Sequence, residues 1–499
     1  MVLKKIKSAL NGASGDSFFL MFVRMVTLVF GIVMTRILSG YFSMHEYGTY
    51  SQITLVVGTV VSLTIFGMVD GINYFFCKEQ EIEKRDKYVA TIFCLQFIVS
   101  LIASIIVLVS TVPIAKYFNN DDVKKLIIFA AILPGMQNMI SLLQVMFIAI
   151  GKARHIAIRN LLVSVFKLIA IVLACYIFDN IVVVLICQAV LELAQIIYFV
   201  LSLRKNNCAV SFLRFDKTLL KQILTYCIPM GMFTIVKSLN RDCDKYIIAA
   251  FTNAETLAIY TNASKQLPFY IIMASFCTVL VPYITRYISR KEYFQTQTLY
   301  KAFLELSYIS TAVLALGAIV VAPELMRFLY TDKYISGLSI FIVYIVIDIV
   351  DLLNITLLLS AAGKTKTIMG ISMGTFVLNL ILNIVLYKGM GLLGPAIASL
   401  IVTILQGILV LSLSAKEIQT NIMKMFNKKF GLVFLLENLC VGILVYGLRI
   451  LLLRVVPSYF IVMCVCYLCY IVPLLLLNVK RLKQDIGIIN SCKLQSKGE

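Results

Sequence analysis

About fourteen apolar runs, each of roughly 20 residues, follow one another along this chain with short polar segments between them. A run of that length crosses the hydrocarbon core of a bilayer as an α-helix. The runs are continuous rather than alternating in polarity, which excludes a transmembrane β-barrel. With 61% hydrophobic and 14% charged residues, the sequence predicts an all-α, polytopic membrane protein. The predicted spans are residues 17–38, 47–69, 88–112, 125–150, 156–178, 181–203, 222–250, 257–281, 300–322, 335–361, 367–387, 391–414, 430–452 and 459–479.

Lysine and arginine are distributed unevenly among the loops between these runs. Most of them lie in alternate loops, of which the richest are 78–87, 204–221 and 416–429. Because the cytoplasmic loops of membrane proteins carry an excess of Lys and Arg, these loops and both termini are predicted to lie in the cytoplasm. The net charge of +20 is therefore interpreted as a sign of topology and of attraction to anionic lipid, not of nucleic-acid binding.

An internal repeat divides the chain into three parts. The pattern Pro-x4-Phe-x3-Asp begins at Pro113 and again at Pro323, an offset of 210 residues. A unit of six spans accounts for this offset and predicts two parallel repeats. The predicted domains are an N-lobe of spans one to six at residues 1–210, a C-lobe of spans seven to twelve at 211–420, and spans thirteen and fourteen with a basic cytoplasmic tail at 421–499.

Several short motifs, taken with the span count, resemble those of a known family. They are Arg36-x-Leu38, Glu46-Tyr47-Gly48-x-Tyr50, Gly363-Lys364-Thr365-Lys366, Asn379-x3-Asn383 and Gly391-x2-Gly394-Pro395-Ala396-x-Ala398. Their order is similar to that in the multidrug/oligosaccharidyl-lipid/polysaccharide exporter superfamily, and within it to the bacterial oligosaccharide flippases of O-antigen and capsule export. Pro395 departs from the family pattern, which usually has a small residue there.

This resemblance implies a transporter rather than an enzyme, with two six-helix lobes around a central cavity and no cofactor. It implies that a polyprenyl-diphosphate-linked oligosaccharide moves from the inner to the outer leaflet of the bacterial cytoplasmic membrane by alternating access, for surface polysaccharide assembly. The implied partners are this substrate, membrane lipid, and a polysaccharide polymerase and glycosyltransferases. The two additional C-terminal spans are interpreted either as part of a groove for the polyprenyl tail or as a packing or oligomer surface.

The seventh span, within Tyr226–Phe251, carries many charges for a membrane helix. Lys237, Arg241 and Asp244 lie within one arc of about 100° on that helix. A charge at mid-bilayer is costly, so these residues are expected to face a cavity or a protein partner. Arg24 in span one is their counterpart in the repeat. Two interpretations stay open: the cations bind the substrate diphosphate, or they pair with buried acids and hold helices together. Asp244 either orients Arg241 or binds sugar hydroxyls.

Four further polar residues lie in spans four to six. Lys167 and Glu192 are each about 12 residues from the turn that joins their helices, which places them at one depth and predicts a buried ion pair. Lining of the cavity is the alternative for this pair. Gln137 and Gln144, on one face of span four, either bind sugar hydroxyls or bond to neighbouring helices.

Two acids, Asp348 and Asp351, lie three residues apart in span ten and so share a face. Two carboxyl groups at this depth either hold a proton or sodium ion that couples transport to a gradient, or balance the cavity cations.

Other kinds of chemistry are not supported by the sequence. The two His residues are far apart, so neither a metal site nor a Ser/His/Asp triad is predicted. No phosphate-binding loop of the ATPase type occurs, which leaves ion gradients as the expected energy source. A cation-coupled multidrug exporter of the same fold is the first alternative function. A membrane polysaccharide polymerase is the second, and the short outer loops argue against it.

Overall fold

The computed structural model describes residues 13–79, 81–150, 152–205 and 214–495, which form helices joined by short turns and contain no strand. Twelve helices in these residues are long and apolar enough to span a membrane. Two more, Ala13–Tyr41 and Tyr270–Ser289, correspond to the first and eighth predicted spans. The prediction of an all-α polytopic membrane protein is therefore confirmed. The chain divides into two compact units, Met1–Ala258 and Ile259–Glu499.

The described residues of unit 1 form ten α-helices and the start of an eleventh. They are α1 (Ala13–Tyr41), α2 (Met44–Ile65), α3 (Met68–Lys78), α4 (Ile82–Val109), α5 (Thr111–Tyr117), α6 (Val123–Ala130), α7 (Leu133–Ala149), α8 (Ala153–Leu173, continued by a π-helical turn to Phe178), α9 (Ile181–Lys205), α10 (Leu220–Phe251) and α11 (Ala254–Ala263). The helix that the repeat assigns to the start of the second lobe, α10, packs against α2 and α3. The lobe boundaries inferred from the repeat remain a prediction.

Helix α7 lies at the centre of unit 1, where it packs against α2, α3, α4 and α9. Its side chains Leu142, Leu143 and Phe147 are buried together with Ile92 and Phe93 of α4. Lipid tails are as apolar as these side chains, so this core stabilises the unit through close packing rather than through removal of water. The core fixes the positions of the polar residues that α7 and α9 carry.

The second predicted span is not one helix, because the chain turns sharply between α2 and α3. Phe66 and Gly67 both adopt left-handed backbone conformations, with φ of 44° and 71°. Such a break leaves backbone groups unpaired within the membrane unless a side chain meets them. The Gln96 amide donates to the carbonyl of Thr64 at 3.1 Å, and the Asn138 amide donates to the Thr64 hydroxyl at 2.7 Å. These two buried amides stabilise the break.

The Glu46–Tyr50 motif has a structural role at the start of α2. Ser43 and Glu46 form a capping box, in which the Ser43 hydroxyl accepts from the Glu46 N–H at 3.2 Å and the Glu46 carboxylate accepts from the Ser43 N–H at 3.0 Å. Gly48 faces the backbone of Ala254, and a Cβ at this position would lie 2.3 Å from the Ala254 carbonyl oxygen. The glycine therefore permits close contact between α2 and the first turn of α11.

We expect Gly48→Ala to lower the stability of the protein by about 1–3 kcal/mol, because the added methyl group must push two backbone segments apart. Gly58→Ala is the matched control, since a Cβ on Gly58 of the same helix meets nothing within 4 Å. The apparent melting temperature of the purified protein in detergent measures both changes. Equal melting temperatures for the two variants would contradict the contact at Gly48.

Unit 2 contains eleven further helices. They are α12 (Tyr270–Ser289), α13 (Tyr293–Ser307, continued by a π-helical turn to Ala312), α14 (Val313–Val320), α15 (Ala322–Tyr330), α16 (Leu338–Val350), α17 (Leu357–Ala361), α18 (Thr365–Met390), α19 (Leu393–Glu417), α20 (Ile422–Met425), α21 (Lys428–Val455) and α22 (Tyr459–Gln495). Helices α13 and α14 are the most buried, and α22 packs along both of them. The predicted spans thirteen and fourteen, α21 and α22, are thus attached to the core of unit 2.

Two predicted spans of unit 2 are also interrupted. Residues 264–269 separate α11 from α12, and a 3-10 turn, Asp351–Asn354, follows α16. The Asp348 carboxylate accepts from the backbone N–H of Leu267 in the first interruption at 3.3 Å. At the second interruption, the Asn354 amide donates to the Thr403 carbonyl at 3.2 Å and to the Asp351 carboxylate at 3.0 Å. Polar side chains again satisfy backbone groups where a membrane helix breaks.

The Pro-x4-Phe-x3-Asp motif ends in an ion pair in each unit. In unit 1, Asp122 accepts from the Lys125 ammonium at 2.9 Å and lies 3.2 Å from Nε2 of His45. Hydrogen bonds from Lys125 and then from His45 hold the pKa of Asp122 below its ordinary value. In unit 2, Asp332 pairs with Nε of Arg327 at 2.9 Å. In each unit the motif closes the loop after a short helix.

Candidate functional site

The charged face of α10 is largely exposed. Lys237 and Arg241 are both exposed, one helical turn apart. Arg241 Nη2 donates to Asp242 at 3.0 Å, and the other oxygen of Asp242 accepts from Lys245 at 2.6 Å. Asp242, which the sequence arc left out, is therefore the carboxylate that orders this face. Lys237 forms no ion pair with any residue that the structure describes.

The remaining predicted members of this face are placed differently. Asp244 is only 1% exposed and accepts from the backbone N–H of Lys245 at 2.8 Å. It lies on the packed side of α10, whereas the Arg241 side chain is 64% exposed. The Arg24 side chain is outside the part of the structure that is described. The structure thus shows two exposed cations, Lys237 and Arg241, on the charged face of α10.

Hydrogen bonds hold the charged part of α10 against α2. The Ser238 hydroxyl contacts the Ser62 hydroxyl at 2.7 Å, and the Tyr246 hydroxyl contacts the Thr59 hydroxyl. The Tyr117 hydroxyl donates to the Tyr246 carbonyl at 2.8 Å. These contacts fix the rotation of α10, and hence the direction in which its cations face.

A buried carboxylate, Glu192, lies at the centre of a polar cluster within unit 1. It is 3% exposed, and its Oε1 accepts from the amides of Gln137 and Gln188 at 3.0 Å each. Lys167 acts on Glu192 electrostatically from a greater distance. Of the predicted residues, the structure therefore brings Gln137 into contact with Glu192, whereas Lys167 and Glu192 form no direct ion pair. Gln144, two turns along α7 from Gln137, is partly buried.

A second buried charge in unit 1, Arg159, was not predicted from the sequence. It is 6% exposed, and its guanidinium donates to Gln195 and to Asn160. The guanidinium carbon also lies 4.6 Å from the ring centroid of Phe199. Amide oxygens and an aromatic face thus surround this cation, which explains how it is tolerated within the protein.

The two acids of span ten have separate surroundings. Asp348 is 9% exposed and bonds to the interruption before α12, as described above. Asp351 accepts from the amide of Asn354. The hydroxyls of Tyr260 and Tyr344 lie 3.4 Å apart on the same side of α16 as Asp348. A role in satisfying a helix break is therefore available to Asp348, beside the two interpretations made from the sequence.

A long groove runs between α21 and the core of unit 2, with a volume of about 860 Å³. Phe430, Phe434, Leu439 and Ile443 of α21 form one wall, and Tyr308 with its neighbours on α13 and α14 forms the other. This volume is within the range of roughly 300–1,000 Å³ that small-molecule sites occupy. We call it the α21 groove.

Polarity in the α21 groove is concentrated at one end. Lys301, Glu305, Asn427 and Lys428 line that end, where α21 begins. Asn438, near the middle, is bonded within the protein, since its oxygen accepts from the Tyr470 hydroxyl at 2.9 Å and its amide donates to the Phe434 carbonyl at 2.7 Å. The groove is thus apolar along most of its lining, with two lysines and the carboxylate of Glu305 at one end, which we call its mouth. The only sequence signal for it is the pair of glycines, Gly431 and Gly442, that leave space along α21.

An unpredicted ion pair fastens α21 beside the groove. The Arg449 guanidinium donates to both oxygens of Glu324 on α15, with Nη2 at 2.8 Å from Oε1 and Nε at 2.9 Å from Oε2. The two side chains are 12% and 2% exposed. Arg449 also lies over the Tyr446 ring, with its guanidinium carbon 5.6 Å from the centroid. A bidentate pair this well buried determines the position of α21.

Comparison with known proteins identifies a family for the chain and solved structures with a similar fold. Residues 33–338 match the model of a family described as polysaccharide biosynthesis protein. No curated protein sequence matches the chain. Among solved structures, it is similar to a lipid II flippase, MurJ, in an inward closed conformation, with 15% identity, a TM-score of 0.70, and coverage of 91% of this chain and 98% of that one.

Two further similar structures are those of transporters. One is an inward-facing multidrug resistance transporter of the MATE family, with 12% identity, a TM-score of 0.68, and coverage of 81% of this chain and 98% of that one. Another is a transporter from Pyrococcus furiosus, with 13% identity, a TM-score of 0.57, and coverage of 81% and 94%. At these identities the similarity shows that the chain shares the fold of these structures.

Proposed function

Because this chain belongs to the polysaccharide biosynthesis protein family, we propose that it is a flippase for a polyprenyl-diphosphate-linked oligosaccharide. It carries the head group from the inner to the outer leaflet of the bacterial cytoplasmic membrane, with both termini in the cytoplasm. The observation that carries this proposal is the α21 groove, which suits an apolar chain and has its charged residues, two lysines and Glu305, at one end. A substrate that is part hydrocarbon and part anion needs both properties.

The head group is assigned to the exposed cations of α10. Lys237 and Arg241 present charge-assisted donors of the kind that bind phosphate oxygens, and Arg24 is proposed to join them. Gln137, Gln144 and Asp244 are proposed to contact the sugars, as the sequence interpretation holds. Buried Asp244 and the bonded amide of Gln137 are compatible with this role only if the helices move during transport.

The buried acids are given supporting roles in this proposal. Asp348 and Asp351 are proposed to hold the coupling cation or to balance the cations of the transport path. Lys167 and Glu192 are proposed to act as a structural pair, in which the two glutamine amides share the carboxylate. The proposal includes alternating access as the means by which the head group crosses the membrane.

The test uses purified protein in liposomes that contain a fluorescent polyprenyl diphosphate disaccharide. We expect the protein to move this lipid from the inner to the outer leaflet, where an impermeant quencher added outside reduces its fluorescence. The double variant Lys237→Gln, Arg241→Gln should lower the rate of this movement about fivefold, since two charge-assisted contacts to the diphosphate are lost. Arg454→Gln is the control, because Arg454 is an exposed cation at the far end of α21. A rate equal to that of empty liposomes would contradict the proposed function. An unchanged rate in the double variant would contradict the role of α10.

A cation-coupled multidrug exporter is the second candidate, and buried Asp348 is the observation that favours it. A drug exporter would take up an organic cation such as ethidium in liposomes under an imposed sodium or proton gradient. The exposed cations of α10 favour an anion instead. Gradient-driven ethidium transport that Asp348→Asn abolishes would support the exporter over the flippase.

A further inference from the structure

A cleft of about 550 Å³ opens in unit 1 where α3 ends and α10 begins. It lies apart from the charged residues Lys237 and Arg241, which are three to four helical turns further along α10. Its lining includes Tyr74, Tyr226 and Lys221. The basic loops 78–87 and 214–221 border it, so it lies on the side that the charge distribution assigns to the cytoplasm.

Aromatic rings form one wall of this cleft. Tyr74 and Tyr226 stack with centroids 4.3 Å apart and an angle of 13° between their planes. Phe75 meets Tyr226 edge to face at 5.7 Å and stacks on Tyr88 at 4.5 Å. Because Phe75 and Tyr88 are buried, the two cleft tyrosines are held on a rigid base. Because each ring of this stacked pair covers one face of the other, the outer surface of the pair is what can meet the weakly positive C–H groups of a pyranose sugar.

Polar groups lie beside the rings at hydrogen-bonding positions. The Gln222 side-chain oxygen accepts from the Tyr88 hydroxyl at 2.7 Å, which leaves its amide N–H groups as donors to a ligand. The Thr225 hydroxyl donates to the Lys221 carbonyl at 2.7 Å and keeps its lone pairs as acceptors. An aromatic wall with amide and hydroxyl groups beside it matches a sugar ring, which presents C–H faces and hydroxyl edges.

Lys221 is the cation that lines this cleft, and the Lys78 ammonium lies beside it, where it donates to the Tyr74 hydroxyl at 2.9 Å and lies 5.0 Å from the centroid of that ring. The neighbouring cations Lys84, Lys87 and Arg214 each pair with a carboxylate, at 3.2, 2.9 and 2.6 Å. Lys221 is exposed and has no such partner among the residues that the structure describes. Its ammonium group is therefore accessible to an anion from solution.

We propose that this cleft is an entry site, at which the sugar diphosphate head group of the substrate binds before it moves along α10. The proximal sugar stacks on the Tyr74 and Tyr226 wall and bonds to Gln222 and Thr225, while the diphosphate contacts Lys221. The proposal deepens the function given above and depends on it for the identity of the ligand. Binding involves no covalent step, so the ligand leaves the cleft chemically unchanged.

The chain contains no tryptophan, which makes a direct binding test possible. Tyr226→Trp places one fluorophore in the stacked wall and keeps an aromatic ring there. We expect a saturable change in its fluorescence with N-acetylglucosaminyl diphosphate farnesol as the probe, and a much weaker response to farnesyl diphosphate or inorganic diphosphate alone. If Tyr226→Trp is not monodisperse in detergent, Tyr74→Trp serves as the reporter. No saturable change in either reporter would overturn the proposal.

Variants in the reporter background separate the two parts of the site. Lys221→Gln should raise the dissociation constant of the probe about fivefold, through loss of a charge-assisted contact. Tyr74→Leu should raise it about fivefold as well, through loss of the ring. The controls are Lys217→Gln, one helical turn from Lys221 but outside the cleft, and Tyr176→Leu, an exposed tyrosine elsewhere in unit 1. If each variant had the same dissociation constant for the probe as its control, the proposed entry site would be overturned.

The same variants, tested for transport of the head group in liposomes, separate a failure of the proposed entry site from a failure of the proposed flippase function. Saturable binding without transport would support the cleft and contradict the flippase. Transport that Lys221→Gln and Tyr74→Leu leave unchanged, with no probe binding, would contradict the cleft alone.

Discussion

Replacing Gly431 with phenylalanine is expected to slow translocation of a long-chain polyprenyl diphosphate oligosaccharide by about tenfold, roughly 1.4 kcal/mol on the barrier. Gly431 lines the α21 groove, and a Cβ built on it meets nothing within 4 Å. A phenyl ring at this position extends into the groove that we assign to the tail, near the mouth with Lys428. The helix itself has room for the substitution, so the fold should persist.

Gly447→Phe is the matched control for this prediction. Gly447 lies on the same helix and also has an open position at Cβ, but it does not line the groove. Transport of a probe with a short farnesyl chain should respond less to Gly431→Phe than transport of the long-chain probe. If Gly431→Phe and Gly447→Phe transport the long-chain probe equally well, the tail does not use this groove.

Removing the carboxylate of Glu324 is expected to destabilise unit 2 by about 3–5 kcal/mol, because Arg449 is left as a buried, uncompensated charge. Glu324 is 2% exposed and accepts both arms of the Arg449 guanidinium, at 2.8–3.0 Å. The measurement is the apparent melting temperature of Glu324→Ala in detergent. Since the pair joins α15 to α21, a wall of the groove should loosen as well, and transport of the long-chain probe should fall.

Two comparisons isolate the ion pair from other effects of the substitution. Asp332→Asn removes an exposed pair with Arg327, with side chains 74% and 39% exposed, and should change stability by less than about 1 kcal/mol. The double variant Glu324→Leu, Arg449→Met replaces both charges by apolar groups of similar length and should recover much of the stability. A double variant as unstable as Glu324→Ala would show that packing at α15, rather than the unpaired charge, causes the loss.

The span count and the all-helical fold were predictable because each membrane helix satisfies its own backbone hydrogen bonds and must be apolar along its length. That requirement is local, so it can be recognised within a single run. The interruptions at Phe66–Gly67 and at residues 264–269 were missed for the opposite reason. These interruptions depend on hydrogen bonds with the side chains of Gln96 and Asp348. Both residues lie far along the chain from the backbone groups that they contact.

The candidate site was only partly predictable. The sequence identified Lys237 and Arg241 as exceptional, since charges are costly within a membrane. It also identified Glu192, but assigned it to Lys167, whereas the nearer donors are Gln137 and Gln188. Several types of side chain can donate a hydrogen bond to a buried carboxylate. The helix that packs beside the carboxylate determines which of them does so.

The sequence by itself determined that this protein is a helical, multi-pass membrane protein with a transporter's pattern of motifs, because hydropathy and charge act residue by residue. Only the tertiary structure decided where the helices leave a groove between them and which distant side chains come into contact. The α21 groove exists because Gly431 and the phenylalanines of α21 face α13 and α14, and Arg449 meets Glu324 although 125 positions separate them along the chain. Such pairings follow from helix packing, which depends on many weak contacts at once and leaves no local signature in the sequence.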